Sequence, residues 1–232
     1  AGAKVQEQIG ELARTSGMRI LGPNCLGVMS GETGVYATFS PVAGTGIVKP
    51  GNIGLVSQSG AFGGFSYSLA RERGLGLSHW ITTGNESDVD MSDCLDWMVD
   101  DESTKVILAY MEGCRNGEKL IRALEKARAA KKPIVIVKVG RTDLGAAAAA
   151  SHTAALAGAD AIYDAVFKQY GVHRAATIDE AFDVAYAVSI GGLPRGRSIG
   201  MLTASGGAGV LMADEAASLG LDAHPMPEHA QK

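Results

Sequence analysis

Long apolar runs, paired cysteines and a surplus of positive charge are all missing from this chain. No stretch of the 232 residues reaches the length of a membrane span. Lys and Arg together number 21 against 25 Asp and Glu, giving a net charge of −4. That leaves no electrostatic footprint for nucleic acid, so any anion bound here must be held by backbone dipoles. The cysteines are Cys25, Cys94 and Cys114, an odd number without metal-ligand spacing, which reads as reduced thiols in an intracellular setting. The opening "AGAKVQEQIGELART" shows no secretory signal, so a cytoplasmic protein is expected. The first residue is not Met and the end "PMPEHAQK" carries no obvious stop, so a piece of a longer polypeptide is expected. Proline is scarce while glycine is abundant, with 31 glycines, and 46% of the residues are hydrophobic. This fits a globular chain with many strand-to-helix turns and excludes a low-complexity tail.

What is present is alternation. Residues 4–16 read as a helix, with Val5, Ile9 and Leu12 at helical spacing and Gly17 ending it. "MRILGPNCLGV" gives a short strand and a turn, and the Gly/Thr/Ser-rich residues 31–46 read as a surface linker. From residue 50 apolar strands ("NIGLVSQ", "LSHWITT", "KVILAYM", "PIVIVKVG", "VHRAA") alternate with helical segments. Near-continuous apolar strands between helices imply an α/β fold with a parallel sheet covered on both faces. Five of them suggest a doubly wound, flavodoxin-like domain over 47–191. After "GGLPRGR" the pattern restarts: "SIGMLTASGGAGVLMADEAASLGLDAH" echoes "NIGLVSQSGAFGGFSYSLARERGLGLSH". Gly54 and Gly200, Ser59 and Ser205, Gly60 and Gly206, and Gly74 and Gly220 pair at one common offset. The repeat implies a strand, a turn and a helix over 197–232, the truncated beginning of a second flavodoxin-like domain.

Each copy of the repeat places Ser-Gly between a strand and a helix N-terminus. Unpaired amides and the positive end of the helix dipole converge there, making Ser59–Gly60 and Ser205–Gly206 candidate phosphate sites. Equally, the serines can be plain helix caps and the glycines packing residues. His152 lies in "AAAAASHTAALAGAD", among small residues after a strand, at the edge where parallel sheets bind ligands. A neutral imidazole there can accept a phosphoryl group, whereas a lone histidine is more often solvated. Glu112 ends "KVILAYM" and is a candidate to fix the tautomer of His152, or else a solvated loop acid. "GNESDVD" carries Glu86, Asp88 and Asp90 without a calcium-loop pattern and reads as a solvated loop and helix cap. "GAFGG" is not a Walker loop, since no Lys-Ser/Thr follows. His79, His173, His224 and His229 show no spacing that asks for a role, and Trp80 and Trp97 read as core or interface residues.

"GPNCLGV", "KPGNIGLVSQSGAFG", "MEG" and "SHTAALAG" occur in that order. Together they resemble the CoA-ligase region of NDP-forming acyl-CoA synthetases, similar to the α subunit of succinyl-CoA synthetase. The resemblance implies acid + CoA + ATP ⇌ acyl-CoA + ADP + phosphate, through an acyl phosphate and a phosphohistidine. It implies catalytic roles for His152, the phosphorylated residue, and Glu112, the carboxylate that steadies its ring. It implies phosphate binding at Ser59, Gly60, Ser205 and Gly206, and a place near the thioester end of CoA for Asn24 and Cys25. Residues 1–46 would then be the tail of a Rossmann CoA-binding domain plus linker. Ala154 stands where the family more often has glycine. ATP or ADP and Mg²⁺ are expected only through an ATP-grasp domain or subunit absent from this chain. Partners implied are CoA, a carboxylic acid or acyl-CoA, phosphate and a second copy of the chain, but no nucleic acid or membrane. The alternative is a non-catalytic acyl-CoA-sensing module of a protein acetyltransferase, which needs no phosphorylatable histidine.

Overall fold

The computed structural model describes residues 2–142, 144–145, 159–227 and 229. His152 therefore lies outside the described residues. Residues 1–190 and 191–232 form two compact units.

The first unit is built on a seven-stranded sheet in the order β2-β1-β4-β3-β5-β6-β7. After helix α1 (Gly2–Ser16) come β1 (Gly27–Ser30), β2 (Val35–Thr38) and a 3₁₀ turn (Pro41–Thr45). Then follow β3 (Pro50–Ser57), α2 (Gly60–Glu72), β4 (Leu77–Thr82), α3 (Met91–Asp100) and β5 (Val106–Met111). The unit closes with α4 (Gly117–Ala129), β6 (Ile134–Lys138), α5 (Asp160–Tyr170), β7 (His173–Arg174) and α6 (Ile178–Gly191). Strands β4, β3, β5, β6 and β7 are mutually parallel in that spatial order. This is the flavodoxin order, with its topological switch point between β3 and β5.

Side chains alternate across this sheet as the pleat demands. Val56, Ile107, Ala109, Ile134 and Ile136 pack under α3, α4 and α5, beside Leu95, Met98, Leu124 and Phe167. Leu55, Val106, Leu108, Val135 and Val137 face the other way, against Tyr67 and Ala70 of α2 and Phe182 and Ala185 of α6. Every residue of β6 is buried, which is why Ile134–Val137 is apolar without alternation. α2 lies close to the sheet: a Cβ added at Gly63 would come within 2.5 Å of Thr82 Cγ2. The Gly63 carbonyl also accepts from Trp80 Nε1 at 2.8 Å. Trp80 is buried core, whereas Trp97 is half exposed and lies edge-on to His79.

Two local expectations are corrected. Residues 31–46 are not a surface linker throughout. β2 pairs antiparallel with β1, and β1 pairs antiparallel with β4, so the parallel sheet gains a hairpin and becomes mixed. The sequence signal for this strand is weak, because "VYAT" is only four residues long and sits among glycines and threonines. The strand expected in the repeat, "SIGMLTA", is likewise absent: only an isolated parallel bridge joins Ser198 to Asp222. A strand exists by its ladder, and this segment has one bridge to pair with.

In the second unit the repeat nevertheless holds in detail at helix α7 (Gly206–Ser218). Ser59 Oγ caps α2 by accepting from Phe62 N, and Ser205 Oγ caps α7 by accepting from Ala208 N. Ser57 Oγ donates to the Ser59 carbonyl, and Thr203 Oγ1 donates to the Ser205 carbonyl. Gly74 and Gly220, at φ +66° and +63°, end the two helices in the left-handed region.

Candidate functional site

The C-terminal ends of β3, β4, β5 and β6 lie level, as the register pairs Ser57 with Thr82 and Tyr110, and Met111 with Lys138. Three of the sequence-derived candidates gather at the switch point between β3 and β5. Ser59 and Gly60 open α2 directly after β3, and Glu112 follows β5. The first amides of a helix have no intrahelical acceptor, so the α2 N-terminus presents donors and a positive dipole end. A Cβ at Gly60 would touch Leu26 Cγ at 3.1 Å, so this turn is closely packed. Glu112 is 8% exposed, which excludes the reading of it as a solvated loop acid.

One side chain that the sequence reading did not single out ties these together. Gln58 Oε1 accepts from the amides of Glu112 at 2.6 Å and Gly113 at 3.0 Å. Its Nε2 donates to the Gly113 carbonyl at 2.9 Å and to both carboxylate oxygens of Glu86 at 3.0 Å. Gln58 thus spans the switch point, locking the loop that carries Glu112 to the residue before the Ser59 cap. Its signal in the sequence is an amide side chain between the Ser57 end of β3 and the Ser59 cap of α2.

Glu86 is not solvated, correcting the earlier reading: it is 7% exposed, in the left-handed region at φ 56°. Its carboxylate accepts from Thr83 Oγ1 at 2.8 Å and Met91 N at 3.0 Å as well as from Gln58. Burial pushes its carboxyl up, opposed by the bonds from Thr83 and Gln58, with Asp90 adding to the rise. The native state therefore holds this proton at pH values where the unfolded chain has released it. Stability falls as pH rises from the ordinary glutamate value through the raised native one. Glu86→Gln keeps an acceptor for Gln58 and is expected to remove that fall, checked by urea midpoints across pH 4–8. Asp90, by contrast, is a helix cap as expected, with Asp93 completing a capping box on α3.

Asn24 and Cys25 lie in a turn zipped against the loop after β4. Asn85 N donates to the Pro23 carbonyl at 2.8 Å, and Ser87 N to the Gly22 carbonyl at 2.9 Å. Asn24 Nδ2 donates to Asn85 Oδ1 at 3.2 Å, and Cys25 Sγ lies 3.7 Å from the Leu21 carbonyl. Leu26 N donates to Thr82 Oγ1 at 2.7 Å, which brings this turn beside the α2 N-terminus. Gly84 permits the approach, since a Cβ there would fall 2.4 Å from the Pro23 carbonyl oxygen. Nearby, Tyr110 stacks on Phe62, and burial with Glu112 beside it pushes its phenol up. Ser205 and Gly206 cap α7 in the second unit, described above. Among the described residues no cluster of three or more His, Cys, Asp or Glu side chains is arranged to hold a metal ion. No described helix is long and apolar enough to cross a membrane.

The comparisons with known proteins agree with one another. The α subunit of acetate–CoA ligase [ADP-forming] I from Pyrococcus furiosus is 45% identical over 95% of this chain and 46% of its own length. The α subunit of isoenzyme II from the same organism is 41% identical over 95% of this chain and 47% of its own. The solved structure of Ca. Korarchaeum cryptofilum dinucleotide forming acetyl-coenzyme A synthetase 1, in complex with phosphate and ADP, superposes with a TM-score of 0.85 at 38% identity. That alignment covers 97% of this chain and 48% of the solved one, so the chain spans about half the length of its relatives. The family profile described as "Succinyl-CoA ligase like flavodoxin domain" matches residues 50–188. On that match, together with the sheet order and the switch-point site, the chain belongs to the succinyl-CoA ligase-like flavodoxin domain family.

Proposed function

We propose that the chain is the CoA-ligase part of an ADP-forming acyl-CoA synthetase, catalysing acid + CoA + ATP ⇌ acyl-CoA + ADP + phosphate. The observation that carries this is the Gln58 bridge, which holds the α2 N-terminus and the Glu112 loop together at the switch point. An anion-binding helix start beside a held carboxylate is what phosphoryl transfer to an imidazole requires. The relatives named as ADP-forming acetate–CoA ligases support the reaction class, and the phosphate in the Korarchaeum complex supports the anion.

In this reading a ring nitrogen of His152 attacks the γ-phosphorus of ATP and ADP leaves. A carboxylate oxygen of the acid then attacks that phosphorus, freeing the imidazole and giving an acyl phosphate. The thiol sulfur of CoA attacks the acyl carbon, phosphate leaves, and the thiol proton is released. Ser59 and Gly60 offer amides to the phosphoryl oxygens, and Glu112 accepts the other imidazole N–H, setting the tautomer. Ser205 and Gly206 repeat the cap geometry and serve as a second phosphate-binding helix start. Asn24 and Cys25, beside α2, are assigned to the thioester end of CoA. Mg²⁺ would neutralise phosphate charge on ATP, and both belong to an ATP-grasp domain or subunit. Residues 1–46 are assigned to the tail of a CoA-binding domain plus linker, whose β1–β2 hairpin joins the sheet of the flavodoxin-like domain over 47–191, and 197–232 begin a second such domain. Leu202, Val210 and Leu211 are exposed in the second unit, which fits burial against a further domain or a second copy of the chain. The location proposed is the cytoplasm.

The test is turnover. The full-length protein with its ATP-grasp partner is incubated with CoA, ATP, Mg²⁺ and short carboxylic acids. Acyl-CoA formed in step with ADP and phosphate supports the reading. Acyl-CoA binding without turnover contradicts it and favours the sensing module.

A further inference from the structure

Lys138 ends β6 and is 2% exposed, a position that lysine rarely occupies. Its Nζ donates to the Glu112 carbonyl at 3.0 Å and to the Val139 carbonyl, and lies 4.5 Å from the centroid of the Tyr163 ring. Three elements meet on this one ammonium: the end of β5 with Glu112, the end of β6, and α5. All three neighbours favour a cation, since carbonyl oxygens accept and a ring face is negative.

We propose that Lys138 is a positioning residue for phosphoryl transfer, holding Glu112 in place and offsetting the negative charge that gathers beside it. The inference rests on the reading of Glu112 as the partner of His152. A phosphorylated imidazole next to a carboxylate places like charges side by side in a chain of net charge −4. A buried cation on the adjacent strand end counters them without competing for the phosphate. Among the described residues the charged groups that act on it are Glu112, Asp160 and Arg174. Glu112 and Asp160 favour the ammonium, while Arg174 and burial oppose it, with burial the largest influence and a lowered Lys138 as the result. Arg174 is itself occupied by Asp160 and Asp164. Tyr163 faces the ammonium, and Cys114 lies against Tyr163.

Lys138→Met, Lys138→Gln and Lys138→Arg are made in the full-length protein with its ATP-grasp partner. Phosphoenzyme formation from γ-labelled ATP and Mg²⁺ is followed by rapid quench across pH 5–8. Removing the cation takes away a charge that favours the Glu112 carboxylate, so the acidic limb of the rate profile is expected to move to higher pH. The maximal rate is expected to fall about tenfold in Lys138→Met, with the KM for CoA unchanged. Lys138→Gln keeps a donor but no charge and is expected to show the same displaced limb. It serves as the measured variant if Lys138→Met does not fold. Lys138→Arg is expected to restore the limb. Wild-type rate and limb in Lys138→Met or Lys138→Gln, with only the melting temperature lowered, would overturn the proposal. A wild-type enzyme that takes no label on His152 would instead overturn the reading of Glu112, and this inference with it.

Discussion

His152→Ala is expected to abolish acyl-CoA formation from ATP, with kcat falling by about 10³-fold or more. The size follows from the role. A nucleophile that carries the group between two substrates has no substitute once its ring nitrogen is gone, and no other histidine was assigned a role. His79 packs against Trp97, and His173 bonds Glu180 on the exposed side of β7. The variant is expected to melt at the wild-type temperature and to bind CoA as before, because the core of the described residues lies in the sheet and its helices. Retained turnover in His152→Ala would remove the phosphohistidine from the mechanism.

Gln58→Leu is expected to be the most damaging substitution for the site's architecture. Leucine matches the length of the side chain but offers none of its bonds. The Glu112 and Gly113 amides, the Gly113 carbonyl and the Glu86 carboxylate would all lose their Gln58 partner in a buried setting. Each buried polar group left unpaired costs about 1–3 kcal/mol. The expected loss is about 3–6 kcal/mol after relaxation, together with nearly all turnover. Denaturant titration and turnover of the same preparation check the two together. Near-wild-type stability would show that the bridge is dispensable.

Much of this architecture was legible in the sequence because parallel strands buried on both faces must be apolar, as Ile53–Val56 of β3, all of β5 and Ile134–Val137 of β6 are. The repeated Ser-Gly turn was legible because a helix start needs a cap, and both serines provide one. Three features were not. β2 is short and weakly patterned, so its pairing depends on an edge supplied by β1 and β4. Glu86 sits in a run of acids that looks solvated, and only the fold buries it against Gln58. Gln58 and Lys138 are polar residues at strand ends, where sequence offers no reason to choose between solvent and a neighbouring loop. Their partners are 54 and 26 positions away for the Glu112 amide and carbonyl, and only the sheet register brings them together. Motifs mark the candidate site in the sequence, but the bonds that join its parts are long-range and follow from the fold.

In the proposed mechanism His152 carries phosphate. The most direct measurement incubates the full-length protein and its ATP-grasp partner with γ-labelled ATP and Mg²⁺, then maps the label after proteolysis. Acid-labile, base-stable label on His152, discharged by acid plus CoA, is the predicted result. Absence of label on His152 in a preparation that still forms acyl-CoA would contradict it.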